Sequence, residues 1–402
     1  MRPKTARLGG VLAAGVALTL GLAACGNGGS EDKPSGGDPS AAAPAGGTVK
    51  IGFMGDLTGP SAGIVIPPWN GANLVINEYN KTNPPVKIEL VKYDSQGDAS
   101  KAVALAQQAI KNDKIVGLIG PAFSGESAQV APVLEEAEIP SITASATNTK
   151  LAENGWKFWH RLLPNDSVQG PGVADFIAGA AGAKNVFVID DKSEYGKPLA
   201  DAVRTQLGTK GVKLTNDSLD PSESDFSSVV NKVAAAKPDA VFFGGYYAAG
   251  GNLLKQLRDK GVKDAKFFSG DGSLDKGLIE SAGKDNAEGA LIGCPCYLAT
   301  PDVTDAKVKG FAEAYKAAFN ADPAIYAAEG YDAATVFTEA VKAGNTTTDK
   351  INEFLKTIDL AGVSKQVKFA ENGEVEAKDI YIYQVKDGAI TLLGKATEAK
   401  LG

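Results

Sequence analysis

From Gly47 onward, apolar residues recur with two spacings that take turns along the chain: every second residue or in short unbroken runs, then every third or fourth. The first spacing predicts strands, and the second predicts helices that bury a single stripe. Val49-Lys50-Ile51-Gly52-Phe53 is the opening strand by this measure. Ala72 to Tyr79 follows as a helix, stopped by Asn83-Pro84-Pro85, and Val86 to Tyr93 as a second strand. Ala102, Val103, Ala106, Ala109 and Ile110 put one apolar stripe on the next helix. Ile115 to Ile119 and Ile139 to Thr143 then read as strands on either side of a helix over Ser124 to Ala137.

A second set of alternations begins after Pro164. It predicts helices over Val168 to Ala180, Leu199 to Leu207, Phe226 to Ala236 and Gly251 to Lys260. Strands over Val186 to Asp190, Val212 to Leu219, Ala240 to Gly244 and Lys266 to Ser269 alternate with them. Two α/β units in tandem, each a parallel sheet flanked by crossover helices, is the simplest architecture for this order. Val303 to Ala343 reads as a long helical region, and the C-terminus turns to β with Val367-Lys368-Phe369 and the alternating Ile380, Ile382 and Gln384. Asn372-Gly373 and Asp387-Gly388 stand where hairpin turns would be. This mixed ending predicts a chain that crosses back between lobes, with 48–163 plus 297–345 forming the first and 164–296 plus 346–402 the second.

The N-terminus changes the picture, because Arg2, Lys4 and Arg7 precede an apolar run from Leu8 to Ala24 and then Cys25. That is the layout of a secretory signal, and Leu22-Ala23-Ala24-Cys25 resembles the bacterial lipobox, whose cysteine is acylated and becomes the first residue after cleavage. A transmembrane helix is the competing reading, but the run is short and carries Gly9, Gly10, Gly15 and Gly21. Residues 26 to 47 are almost all small or polar and predict a flexible tether. The expected location is therefore the extracytoplasmic face of the cell membrane, on a lipid anchor. Removing residues 1 to 24 takes away three positive charges and no negative ones, so the net charge of −7 becomes −10, which argues against nucleic acid as a partner. About 355 residues remain, more than one core usually organises, so two lobes are the expectation.

Cys294 and Cys296 flank a single proline, and with His160 the only histidine they cannot supply a zinc site. They are either a local disulfide or two buried thiols. His160 itself sits in the strand-like run Trp159-His160-Arg161-Leu162, which suits packing better than proton transfer. Neither a nucleophile elbow nor a phosphate loop is present, and the acidic loops Asp94 to Asp98 and Asp271 to Asp275 lack calcium-loop spacing. These observations predict no enzyme activity, no metal and no cofactor.

The chemistry that remains lies at strand ends. Gly120-Pro121-Ala122-Phe123-Ser124 leads from a strand into a helix, where exposed N–H groups and the positive helix end favour a carboxylate, although helix capping accounts for Ser124 as well. Thr143-Ala144-Ser145-Ala146-Thr147-Asn148 is a run of small and hydroxyl residues that lets a ligand approach the backbone. In the second unit Tyr195, Tyr246 and Asp271 all follow strands. A tyrosine offers a ligand an apolar face and a polar tip, and Asp271 either accepts from an ammonium or bonds its own turn.

Taken in order, these motifs closely resemble the branched-chain amino-acid binding proteins of bacterial ABC importers, which have the type I periplasmic binding protein fold. The resemblance runs from about Val49 to the C-terminus. It is carried by Leu57-Thr58-Gly59-Pro60, Ile119-Gly120-Pro121, Ala144-Ser145-Ala146-Thr147-Asn148, Asp191-Lys192-Ser193-Glu194-Tyr195-Gly196, Gly244-Gly245-Tyr246-Tyr247 and Ala328-Glu329-Gly330-Tyr331-Asp332-Ala333. It implies that Ser124, Ala146 and Thr147 hold a ligand carboxylate. The Ser145 carbonyl, Tyr246 and Asp271 would hold its ammonium, Tyr195 would close over it, and Tyr326 would pack on its side chain. Ile64 stands where an aromatic often contacts the ligand, Asp271 is shorter than the glutamate found in some members, and the first lobe lacks a cysteine pair found in some members, with Asp94-Ser95-Gln96 and Phe123 at the comparable places. The implied role is a monomeric two-lobe clamp for a branched-chain or related amino acid, or for a small amide or organic acid. Its partner would be a membrane permease, or a receptor if the clamp serves sensing.

Overall fold

The strand-forming run at Val49, Ile51 and Phe53 is buried and becomes an interior strand of the first sheet, between its second and third strands in chain order. The computed structural model describes residues 47–299 and 303–401. The expected signal segment, Cys25 and the expected tether up to residue 46 lie outside the described residues. The first lobe begins with β1 (Thr48–Gly55), α1 (Ala62–Lys81), β2 (Lys87–Asp94) and α2 (Ala99–Gln108). It continues through β3 (Gly117–Ile119), α3 (Ser124–Glu136), β4 (Ser141–Thr143) and β5 (Trp159–Arg161). The second lobe takes α4 (Asp166–Ala178), β6 (Asn185–Asp190), α5 (Gly196–Thr209), β7 (Lys213–Ser218), α6 (Ser227–Ala236) and β8 (Ala240–Gly244). After these come α7 (Tyr247–Asp259), β9 (Lys266–Ser269), α8 (Lys276–Ala282), α9 (Lys284–Ala287) and β10 (Leu291–Cys294). The chain returns with α10 (Ala306–Phe319), α11 (Ala327–Lys342), α12 (Thr348–Thr357), β11 (Leu360–Ala361) and β12 (Gln366–Val367), and ends on β13 (Tyr381–Lys386) and β14 (Ala389–Lys395).

The first sheet has five parallel strands in the order β2-β1-β3-β4-β5. The second has seven in the order β14-β13-β10-β9-β8-β6-β7, parallel except where β13 and β14 run antiparallel. Strand order reverses between β1 and β3 in one sheet and between β6 and β8 in the other. Ligands of open α/β sheets bind at the carboxyl ends of strands beside such reversals. The loops after β3, β6 and β8 carry Ser124, Tyr195 and Tyr246, so the topology alone aims these residues at a shared crevice.

Two elements differ from the sequence expectation. α1 starts at Ala62 rather than Ala72 and runs through Pro67 and Pro68. Proline inside a helix removes hydrogen bonds, but here burial of Ile64, Val65, Pro67 and Pro68 offsets the loss. The helical stretch from Val303 to Ala343 is two helices, because Asn320 leaves α10 in the left-handed conformation at φ 52°. α11 then packs along α1 at glycine contacts: a Cβ on Gly71 would overlap the Ala327 carbonyl oxygen, and one on Gly330 the Pro68 carbonyl. Gly71→Ala should therefore destabilise the protein by roughly 1–3 kcal/mol, read as a lower urea midpoint at unchanged slope.

Past residue 345 the chain still contacts elements around the first sheet. Asn352 Nδ2 on α12 donates to the Lys157 carbonyl at 3.1 Å, and Val375 N donates to the Arg161 carbonyl at 3.1 Å. Residues 361–365 bond to α10 and α11, Glu374 and Val375 pair with the edge of β5, and the chain enters the second sheet only at β13. The Asn372-Gly373 turn belongs to this first-lobe edge, whereas Asp387-Gly388 forms the β13–β14 hairpin with both residues at positive φ. At the preceding crossing, Cys294 and Cys296 form a disulfide with Cα atoms 5.1 Å apart.

His160 is buried on β5, with its ring edge-on to Phe369 at 4.9 Å. Burial pushes its pKa down from 6.5 to about 4, so the fold accepts the neutral ring. Stability is then full above about pH 6.5 and declines as pH falls through 4, by about 3 kcal/mol for a shift of this size. His160→Gln should flatten that acid-side decline in thermal melts recorded across pH 4 to 7.

Candidate ligand-binding cleft

On the first-lobe side the loop after β3 enters α3 through Phe123, which occupies the N-cap, so Ser124 is the first helical residue and not the cap. The Phe123 N–H is met instead by Glu126 Oε2 at 3.4 Å. This leaves the Ser124 hydroxyl facing the next loop, where it accepts from Asn148 N at 3.3 Å. That second loop is tied down by hydroxyls. Ser145 Oγ donates to the Ala122 carbonyl at 2.7 Å, Thr143 Oγ1 donates to the Pro121 carbonyl at 2.8 Å, and the Ala146 N–H donates to Thr143 Oγ1 at 3.1 Å. Its carbonyls are held from behind by Arg161, which is fully buried and donates to Ala146 O at 3.0 Å and Asn148 O at 2.8 Å. Glu374 pairs with the same guanidinium in fork geometry.

On the second-lobe side Asp271 sits at the end of β9 and is 1% exposed. Tyr195 Oη and Gln169 Nε2 each donate to its Oδ1 at 2.7 Å, and Tyr326 Oη donates to its Oδ2 from the returning first-lobe segment. Its oxygens therefore serve side chains on several other elements instead of only its own turn. Tyr195 Oη in addition accepts from Gly272 N at 2.8 Å, and the rings of Tyr195 and Tyr246 lie 5.1 Å apart. Burial raises the Asp271 pKa although its hydrogen bonds from Tyr326, Tyr195 and Gln169 favour the charged form.

These walls meet around a cavity of about 10 Å³, lined by Ser124, Ser145, Ala146, Tyr195, Tyr246 and Asp271, with Ile64 and Tyr326 completing it. That is room for a single water molecule at most, so the lobes stand closed and must part to admit a solute. Interlobe bonds hold the closure: Asn148 Nδ2 donates to Glu194 O at 2.6 Å, and Tyr247 Oη donates to Pro60 O at 2.6 Å. Thr147 alone among the sequence-predicted binding residues does not line the cavity. Its hydroxyl is buried behind the loop, beside Asp166.

Asp166 was not among the expected site residues. It is buried at the first turn of α4, neither of its carboxylate oxygens completes a well-formed hydrogen bond, and its pKa is raised well above normal by burial and by the nearby Asp271 charge. An acid in a first helical turn is ordinary, which is why Asn165-Asp166-Ser167 gave no signal. Gln169 was equally silent. Arg161 did carry one, since a charge inside an apolar run must be paired if it is buried. Among the described residues no cluster of His, Cys, Asp and Glu could hold a metal, and no helix is long and apolar enough to cross a membrane.

A profile described as periplasmic binding protein matches residues 48–389. An amino acid binding protein of Pseudomonas aeruginosa is 31% identical over 344 residues, covering 84% of this chain and 90% of that one. A leucine-, isoleucine-, valine-, threonine- and alanine-binding protein of the same species is 30% identical over 342 residues, with 84% and 90% covered. The crystal structure of a leucine binding protein from Thermotoga maritima superposes with a TM-score of 0.79 at 28% identity, over 86% of this chain and 98% of that one.

Proposed function

The chain belongs to the periplasmic binding protein family, whose members bind solutes and are not enzymes, and from that premise we propose that its ligand is an amino acid with an aliphatic side chain. The observation that carries this reading is the buried Asp271, with no basic side chain among the residues lining the cavity. A cavity so equipped favours a ligand with an ammonium over a bare acid, because a buried charge needs an opposite partner. The ligand carboxylate docks on the Ser124 hydroxyl and the Ala146-Thr147 backbone. The Asp271 carboxylate, the Tyr246 hydroxyl and the Ser145 carbonyl take its ammonium. Ile64, Ala122 and Phe123 form an apolar end suited to a branched side chain. Lobe closure then buries the ligand through Tyr195 and Tyr326.

The protein is read further as an extracytoplasmic lipoprotein anchored at Cys25, monomeric, delivering its amino acid to the permease of an ABC importer. The test is calorimetric titration after unfolding and refolding to strip any carried-over ligand. Tight one-to-one binding of leucine, isoleucine or valine is expected. Binding only of carboxylates that lack an amino group would overturn the assignment.

A further inference from the structure

Next to the inner cavity lies a second space of about 180 Å³, nearer the mouth of the cleft. Both spaces are lined by Phe123, Tyr195 and Tyr246. Phe123 and Tyr246 meet edge to face with ring centroids 5.5 Å apart, one from each lobe, and so form a partition. On the inner side the neighbours of Phe123 are Ile64 and Ala122. On the outer side they are Ser61, Gly125, Glu126, Ser193 and Glu194. The two compartments thus differ in chemistry, with an apolar end on one side of a single ring and hydroxyls with two acids on the other.

We propose that Phe123, closed against Tyr246, sets the length of ligand side chain the cleft accepts, and that the compartment behind it is a latent subsite for a side chain ending in a hydrogen-bond donor such as an ammonium. The proposal rests on the amino-acid reading above, since it takes the side chain to point away from Ser124 and Asp271 toward Ile64 and Phe123. Edge-to-face packing fixes the ring in place and fills the route between the compartments. A valine or leucine side chain ends at the ring. A lysine side chain would have to pass it, and a site that cannot admit an added length of chain discriminates steeply. Glu194, exposed at the cleft mouth, and Glu126, held by Ser95 Oγ at 2.5 Å, would receive its ammonium once the ring is gone.

The experiment titrates valine and L-lysine into the stripped wild-type protein and into Phe123→Ala. Wild type should bind valine and reject lysine, and Phe123→Ala should raise the ratio of lysine to valine association constants by about tenfold or more. Adding Glu194→Gln to that variant should take back part of the gain. If Phe123→Ala does not melt cooperatively, Phe123→Leu, which keeps an apolar side chain but removes the ring edge, must raise the same ratio. Wild-type protein that binds valine, with the ratio unchanged in the folded variant, overturns the gate and leaves the amino-acid reading intact. Wild-type protein that binds neither amino acid overturns both.

Discussion

Asp271→Ala should weaken amino-acid binding by roughly a hundredfold, about 3 kcal/mol, because truncating one partner of a buried, hydrogen-bonded charge pair leaves the other unpaired. The ligand ammonium would lose its carboxylate, and Tyr195, Tyr326 and Gln169 would lose a common acceptor. Asp271→Asn separates binding from folding. Burial raises the Asp271 pKa, so the folded state prefers the proton. For an acid shifted upward the stabilising contribution is complete below the unfolded value and is lost as pH rises through the folded one. Above that range the ligand-free protein carries this carboxylate at a cost. Asparagine retains an acceptor without the charge, so the ligand-free melting temperature should rise while calorimetry shows affinity lost. Adding leucine should then raise the melting temperature of the wild type and leave that of Asp271→Asn unmoved.

Arg161→Met should destabilise the protein by roughly 3–5 kcal/mol and weaken ligand binding as well. Its guanidinium is 0% exposed and bonds the Ala146 and Asn148 carbonyls together with Glu374. Without it two buried carbonyls and a carboxylate lose their donor, and the loop that presents Ala146 and Thr147 has nothing behind it. Arg161→Lys should rescue little of either loss, since one ammonium cannot reproduce a planar fork that serves both a carboxylate and two carbonyls. Urea unfolding reads the stability, and titration with the best amino-acid ligand reads the loop. A variant that lost stability but bound normally would show that Arg161 supports the fold without positioning the site.

The parts of the fold legible in the sequence were those where burial is symmetrical and local. β8 and β9 were read to the residue, Ala240–Gly244 and Lys266–Ser269, because a strand buried on both faces is a plain apolar run bounded by polar residues. α1 begins ten residues before its expected start, because the loss at Pro67 and Pro68 is offset by burial that includes packing against α11, far away in the chain. The cleft was legible where a residue's type is unusual for its place, as with tyrosines at strand ends. It was illegible where the residue is ordinary locally and special only in three dimensions. Asp166 looks like any first-turn acid, and Gln169 like any polar helical residue. The open question at Cys294 and Cys296 resolves as a disulfide at the joint between lobes.

Arg161 and Glu374 are 213 residues apart in sequence. A chain emerging from its N-terminus has all the strands of the first sheet by Arg161, yet that buried cation waits for its carboxylate while the whole parallel part of the second sheet is made. At synthesis rates of roughly 5–20 residues per second, the wait is about 10–40 seconds. The Ala146–Asn148 loop is thus among the last parts around the first sheet to become rigid, and a polypeptide halted before Glu374 would possess the strands of that sheet without the means to hold this loop in place.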